Sequence, residues 1–251
     1  MVLVTIGKDI EMRSVKNLIK FIHTDKTRYA TEDKIKPAKE YKPDWYTKAP
    51  FYVDQNNNPE KLKIYNGEAN ATFKKCIPML DAINIGYMVT LCADVLVNLE
   101  PNGFNITWKS KKTIFEMHGN NTNLIEPPDN FNTHVVKYTW NVLPQTPKGY
   151  SLLVLPPLGF HDLVFRQIPG VVDTDKSDLQ FALPMWVKKN YQGIVPAGTP
   201  LAQLIPFKKE DWSSEHSAME DNEYIILEEK GFNKVIKNHY RNKAFNKVKY
   251  T

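Results

Sequence analysis

Between residues 73 and 207 the apolar residues come in short runs, several alternating with polar ones, and most runs close on Pro, Gly or Asn. A period of two sends successive side chains to opposite faces of a strand, so this spacing favours short, half-buried strands over long helices. Tyr87, Val89, Leu91, Ala93, Val95 and Val97 share one parity within residues 87–99. Pro101-Asn102-Gly103 then turns the chain back into Phe104, Ile106 and Trp108, again alternating with polar residues. That is the pattern of a hairpin. Further strands are predicted at 76–80, 114–117, 133–140, 150–155, 168–173, 179–187, around 194–195, and at 201–207. Seventeen prolines against eleven glycines fit a chain of many bends and edge strands. The fold class expected is mainly β, a jelly roll or distorted β-sandwich.

The flanks read differently. Residues 2–6 are β-branched enough for a short strand, and Met12, Val15, Leu18, Ile19 and Ile22 recur at a spacing that predicts a helix over 11–22. Residues 24–70 are polar, with Tyr41, Trp45 and Tyr46 as large anchors, and predict an irregular arm lying on the body. The QNNNP stretch at 55–59 is a loop tip. Beyond Phe207 the pattern weakens to one strand at 224–228 and a partly helical end. Three regions follow: an N-terminal arm (1–69), a β core (70–210) and a charged extension (211–251).

Charge is segregated in that extension. From Glu210 to Glu229 there are eight acids and no Lys or Arg. Lys234, Lys237, Arg241, Lys243, Lys247 and Lys249 follow without an acid among them. A basic arm of this kind binds nucleic acid or another polyanion. With no base-stacking motif in view, it better suits a solvated tail, or one folded back on the acidic run. The two cysteines, Cys76 and Cys92, exclude a disulfide framework and fit thiols on apolar strands. No apolar run is long enough for a membrane span, and residues 1–6 are too short for a secretory signal core. A cytoplasmic location is the expectation. No glycine run fits a P-loop or dinucleotide fingerprint, and no G-x-S-x-G occurs, which sets aside the chemistry those motifs serve.

The most specific stretch is GVVDTDKSDLQFALPMWVKKNYQGIVPAGTPLAQLIPF, residues 170–207. Asp173 closes an apolar strand, Asp175 and Asp178 follow, and Gln203 stands among apolar neighbours on the last strand. A carboxylate where a strand meets a loop is held by the scaffold and reached by water. The stretch resembles the trimeric dUTPase and dCTP deaminase superfamily, in which a GVID strand precedes a GDRIAQLI turn and strand. GVVD at 170–173 and GTPLAQLI at 198–205 match in type and spacing. The resemblance implies a dUTPase-like sandwich, with Asp173 under a deoxyribose and orienting a water, Gln203 as the matching glutamine, and Mg²⁺ as the ion of a nucleotide-processing enzyme. The chain departs from the family in lacking an SAGxDL-like motif, in carrying Lys176-Ser177-Asp178 after the aspartate, and in lacking a Gly-rich lid.

Four further blocks, KPAKEYKPDWY at 36–46, KKCIPMLDAINIGYMVTLCADVLV at 74–97, TPKGYSLLVLPPLG at 146–159 and residues 170–212, resemble an uncharacterised domain family of bacteria and marine tailed phages. That resemblance implies a phage or bacterial origin, and the host cytoplasm or a virion as the place of action. It implies no activity.

The candidate site residues are therefore Asp173, Asp175 and His161 for catalysis, and Asp173, Gln203 and Trp186 for a ligand. Paired carboxylates at a strand end can hold Mg²⁺ or position a water, and the same spacing suits a β-turn in which the aspartates hydrogen-bond their own backbone. His161-Asp162 follows the PPLG turn and can serve as a base with a carboxylate beside it. No metal-ligand spacing links the six histidines, so no metal centre is expected. With no complete catalytic constellation and long polar extensions, the expected role is a non-enzymatic phage-type binding or assembly protein. Its partner would be another copy of itself or a phage or host protein. A dUTPase-like nucleotide enzyme built on Asp173 is the rival.

Overall fold

The computed structural model describes residues 17–31, 34–53, 70–109, 111–119, 126–178, 180–220, 223–226 and 245–251. The fold is mainly β, and all strand pairs are antiparallel. In chain order the strands are β1 (Lys20–His23), β2 (Lys36–Pro37), β3 (Tyr52–Val53), β4 (Asn70–Ala71), β5 (Tyr87–Thr90), β6 (Val95–Glu100), β7 (Gly103–Trp108) and β8 (Phe115–Met117). They continue as β9 (Phe131–Tyr138), β10 (Val142–Gln145), β11 (Tyr150–Leu155), β12 (Phe165–Gln167), β13 (Gly170–Val172), β14 (Leu183–Lys188), β15 (Gly193–Val195) and β16 (Pro200–Lys208). Short helices lie between them, among them α1 (Lys26–Thr31), α2 (Asp44–Lys48) and α3 (Ile77–Asn84).

Two larger sheets share one core. The five-stranded sheet runs β13-β11-β16-β5-β2 and the four-stranded sheet β12-β14-β9-β8. Leu152, Val154, Leu201 and Leu204 from the first meet Tyr138, Phe165, Leu183, Met185 and Val187 from the second in one buried cluster. Phe115 stacks on Phe165 at 4.7 Å and tilts against Tyr138 at 5.4 Å between ring centres. Alternation explains the parity, since every second residue of a strand must face that core.

The parity seen at 87–97 holds, but it belongs to two strands, not one. β5 ends at Thr90 in the five-stranded sheet, and β6 begins at Val95 in a separate three-stranded sheet, β15-β6-β7. Its partner makes the same step: β15 pairs with β6, the chain turns at 196–199, and β16 pairs with β5. Bonds between the two corners hold the bend, from Leu91 N–H to Thr199 O at 2.8 Å, Gly198 N–H to Leu91 O at 2.8 Å, and Ala197 N–H to the Asp94 carboxylate at 2.8 Å. The kink leaves Val89, Leu91, Val95 and Val97 all on the core.

Several sequence expectations are corrected. Of residues 76–80, Cys76 caps α3 and 77–80 are its start, because Pro78 suits the first turn of a helix and cannot serve a central strand. The end of the predicted helix at 11–22 is strand β1, paired with β10, where Ile19 and Phe21 pack on the core while Leu18 and Ile22 are exposed. Its period is two. Residues 223–226 are helical where a strand was expected at 224–228. The arm at 24–70 carries α1, α2 and β2, the last hydrogen-bonded to β5. Strands β10 and β12 escaped the sequence reading, each being short and interrupted by Pro or charge. The readings at 2–6 and 55–59 lie outside the described residues.

Candidate functional site

Asp173 follows β13 and lies beside the start of β11, since Leu152 pairs with Val172. Ser151 Oγ donates to Asp173 Oδ1 at 2.7 Å, and Lys209 Nζ approaches the same oxygen at 2.8 Å. The Lys209 hydrogen bond first, then that of Ser151, hold the Asp173 carboxyl below the usual aspartate range. Asp175 turns the other way and accepts the Gly149 N–H at 2.8 Å. Beneath both, the Thr146 and Thr174 hydroxyls share a hydrogen bond at 2.7 Å, with Thr174 buried. The 146–149 turn and the 173–175 turn thus brace each other. Asp175 accepts from the backbone of a turn distant in sequence, while Asp173 accepts from two side chains. Asp178 is exposed, and among the described residues no three His, Cys, Asp or Glu side chains gather where they could hold a metal ion.

Gln203 does not reach this group. It pairs with Leu155, at the opposite end of β11 from Ser151, a separation of about 13 Å along the strand. Its amide is wholly buried. Oε1 accepts the Leu158 N–H at 2.9 Å, and Nε2 donates to Ala82 O at 3.0 Å and Ile85 O at 2.6 Å. Both amide hydrogens are committed, so none is left for a ligand. The side chain, expected from the sequence to meet a ligand, ties β16 to the end of α3 and to the PPLG turn.

His161 also lies at that far end. Its exposed ring stacks on Trp45 at 5.8 Å, and the Trp45 indole donates to Gly159 O at 2.6 Å. The neighbouring Asp162 pairs with Lys188. This separates His161 from the Asp173 carboxylate. Gly170, paired with Val154, lies at the His161 end of β11, and β13 runs antiparallel to β11 and carries Asp173 to the other end.

Trp186 is 7% exposed and faces away from the shared core, paired across from Val135 on β9 and Arg166 on β12. Its indole N–H has no hydrogen-bond partner among the described residues. Of the basic candidates, Lys234, Lys237, Arg241 and Lys243 lie outside the described residues. Lys247 and Lys249 are exposed on a segment that folds back against α3. There Lys39 donates to Tyr250 O at 2.9 Å, and Tyr250 meets the Tyr87 ring edge-on at 5.7 Å. Phe245, Val248 and Tyr250 with Ile77 and Leu80 line a cavity of about 600 Å³.

Neither cysteine forms a disulfide, and both are half-buried. Neither is on a strand: Cys76 precedes α3, and Cys92 sits in the kink between β5 and β6. No described helix is long and apolar enough to cross a membrane.

The chain matches no known family and no curated protein. Its site must therefore be read from its own geometry. The sequence missed Ser151 and Lys209, the two partners of Asp173. Neither carries a local signal, as both meet the carboxylate only through the β11 pairings.

The acidic segment is the other feature of note. Beyond β16, every residue from 209 to 220 is exposed and without regular structure. Trp212 is 86% exposed and Met219 52%, and the helical turn at 223–226 brings Ile225 and Ile226 to 55% and 49%.

Proposed function

We propose that this protein is a non-enzymatic binding and assembly protein, a β body whose acidic arm, residues 209–226, docks on another copy of the chain. The observation that carries the reading is the arm itself: an exposed Trp and exposed Ile and Met side chains on a run of carboxylates. Isolated exposed apolar residues are ordinary, but a tryptophan left 86% exposed amid several of them fits an interface anchor. Charge supports the choice of partner. Residues 210–229 carry eight acids and no base, residues 230–249 seven bases and no acid, and residues 1–209 net +6. The acidic arm of one copy attracts the basic tail and the mildly basic body of another.

The catalytic candidates support the same reading from the other side. Asp175 and Gln203 are committed to structural hydrogen bonds, and Asp173, His161 and Gln203 are spread over both ends of β11. The phage context rests on the resemblance of the four sequence blocks and makes a capsid-associated or host-directed assembly the setting to examine.

Sedimentation of the full chain at low and high salt tests the proposal. Self-association that weakens in high salt, and again in Trp212→Ala, is the expected result. A monomer at every concentration would overturn it. A thermal shift with a deoxynucleotide and Mg²⁺, abolished by Asp173→Ala in a folded protein, would replace it with the nucleotide-enzyme reading.

A further inference from the structure

An edge strand presents backbone N–H and C=O groups that can template another strand, and proteins guard such edges by short length, charge or Pro. Here β2, β3, β4, β8, β12, β13 and β15 have two or three residues each, β1 carries Lys20, and β10 carries Pro144. Strand β7 has no such guard. It is six residues long, Gly-Phe-Asn-Ile-Thr-Trp, and its one strand partner among the described residues is β6. Facing it is β8, the edge of the four-stranded sheet, and the two edges line one cavity of about 320 Å³.

Each edge has backbone groups that its own sheet does not use. The two-residue loop Pro101-Asn102 makes Glu100 and Gly103 a hydrogen-bonded pair, so by alternation the N–H and C=O groups of Phe104, Ile106 and Trp108 turn away from β6. On β8, Thr139 N–H bonds Ile114 O and His118 N–H bonds Val135 O, both at 2.9 Å, which turns the N–H groups of Phe115 and Met117 away from β9. The apolar side chains between the edges keep surface: Phe104, Ile106 and Trp108 are half-buried, and Met117 is 51% exposed. Lys109 is exposed just past the end of β7.

The acidic arm fits this seam by parity. In an extended segment 211–219, Trp212, Ser214, His216 and Ala218 share one face with no acid among them, and Asp211 and Glu215 share the other. All these side chains are exposed, and the segment has no regular structure of its own. Laid antiparallel to β7 with Trp212 opposite Trp108, it brings Asp211 opposite Lys109, on the face away from the cavity.

We infer that the seam between β7 and β8 is where the acidic arm of a second copy docks, entering as an added strand with Trp212 in the apolar cavity and Asp211 at Lys109. The inference rests on the assembly reading and names the surface that receives the arm. Strand addition takes affinity from main-chain hydrogen bonds and specificity from alternate side chains, and the seam offers both.

A fluorescent synthetic peptide of residues 209–220 is titrated with the full chain and followed by anisotropy, beside sedimentation of the full chain alone. Two chain variants test the seam. Met117→Pro removes an N–H that β9 does not use, so the sheet stays paired while that edge is blocked. Lys109→Glu changes an exposed side chain and leaves the fold intact. The expected result is saturable peptide binding, about tenfold weaker for a peptide carrying Trp212→Ala and about tenfold weaker for each chain variant, with self-association weakened in parallel. Peptide binding and self-association that both chain variants leave unchanged would overturn the seam while the assembly reading stands. Self-association without peptide binding would overturn the seam and the arm's part in assembly, and a monomer that binds no peptide would overturn both readings.

Discussion

At the residue scale, the fully buried Gln203 and the half-exposed Asp173 show how differently one polar side chain can serve a fold. Gln203 satisfies one N–H and two carbonyls that α3 and the PPLG turn would otherwise leave without partners. Gln203→Leu keeps the bulk and orphans all three, so it should destabilise the protein by about 3 kcal/mol in urea unfolding. Gln203→Glu should be worse, since a carboxylate oxygen would then face the Ala82 and Ile85 carbonyls. Asp173 makes a pH-dependent contribution. Its folded carboxyl lies below the ordinary value of 3.8, so the stabilisation is present above that value and is lost as pH falls through the folded one. The gap in melting temperature between wild type and Asp173→Asn should therefore be largest near neutral pH and close in strong acid. A gap that widened in acid would contradict the assignment of Lys209 and Ser151 as its stabilising partners. Gln203 was legible as an anomaly, a polar residue in an apolar strand. Its purpose was not, because its bonded partners Ala82 and Ile85 lie 121 and 118 residues away.

At the scale of elements, the kinked pair β5–β6 and β15–β16 organises the molecule, and Gly86 sets where it begins. Gly86 sits between α3 and β5 at φ +76°, and a Cβ there would stand 2.1 Å from Leu204 O on β16. Backbone against backbone cannot yield as a flexible side chain would. Gly86→Ala should cost about 3 kcal/mol, from strain at positive φ together with that collision, measured as a lowered unfolding midpoint. The same scale accounts for the misread elements. A short apolar run such as Cys-Ile-Pro-Met-Leu fits a buried strand or a helical turn equally well by periodicity, and Pro78 was the residue that separated them. For β1, the heavier signal of Met12, Val15, Leu18 and Ile19 concealed a period of two in the last residues. Pairing with β10 and burial of Phe21 decided it, with Phe21 5.2 Å from the Tyr87 ring.

At the scale of the whole molecule, the 210–229 run is acidic, the 230–249 run basic and the rest mildly basic, and the predictions concern association. Trp212→Ala should leave monomer stability within about 0.5 kcal/mol, as expected for an exposed side chain, while weakening self-association by about tenfold, as expected for an aromatic anchor. Raising the salt from 0.1 to 1 M should act in the same direction, because the Debye length falls to about 3 Å. Equilibrium sedimentation reads both. A variant that lost monomer stability and association together would mean instead that Trp212 supports its own chain's fold.

The sequence by itself determined the strand parity, the places where the chain turns and the separation of acid from base beyond β16. Each is a local property, written by side-chain periodicity, by the restricted backbones of Pro and Gly and by the order of charges. Only the tertiary structure decided which strands are neighbours, that 87–99 belongs to two sheets, and that Asp173 and Gln203 stand at opposite ends of β11. Strands pair through backbone groups that are alike in every residue. The choice of partner is therefore made by the packing of side chains distant in sequence, and so is the set of functional groups brought together.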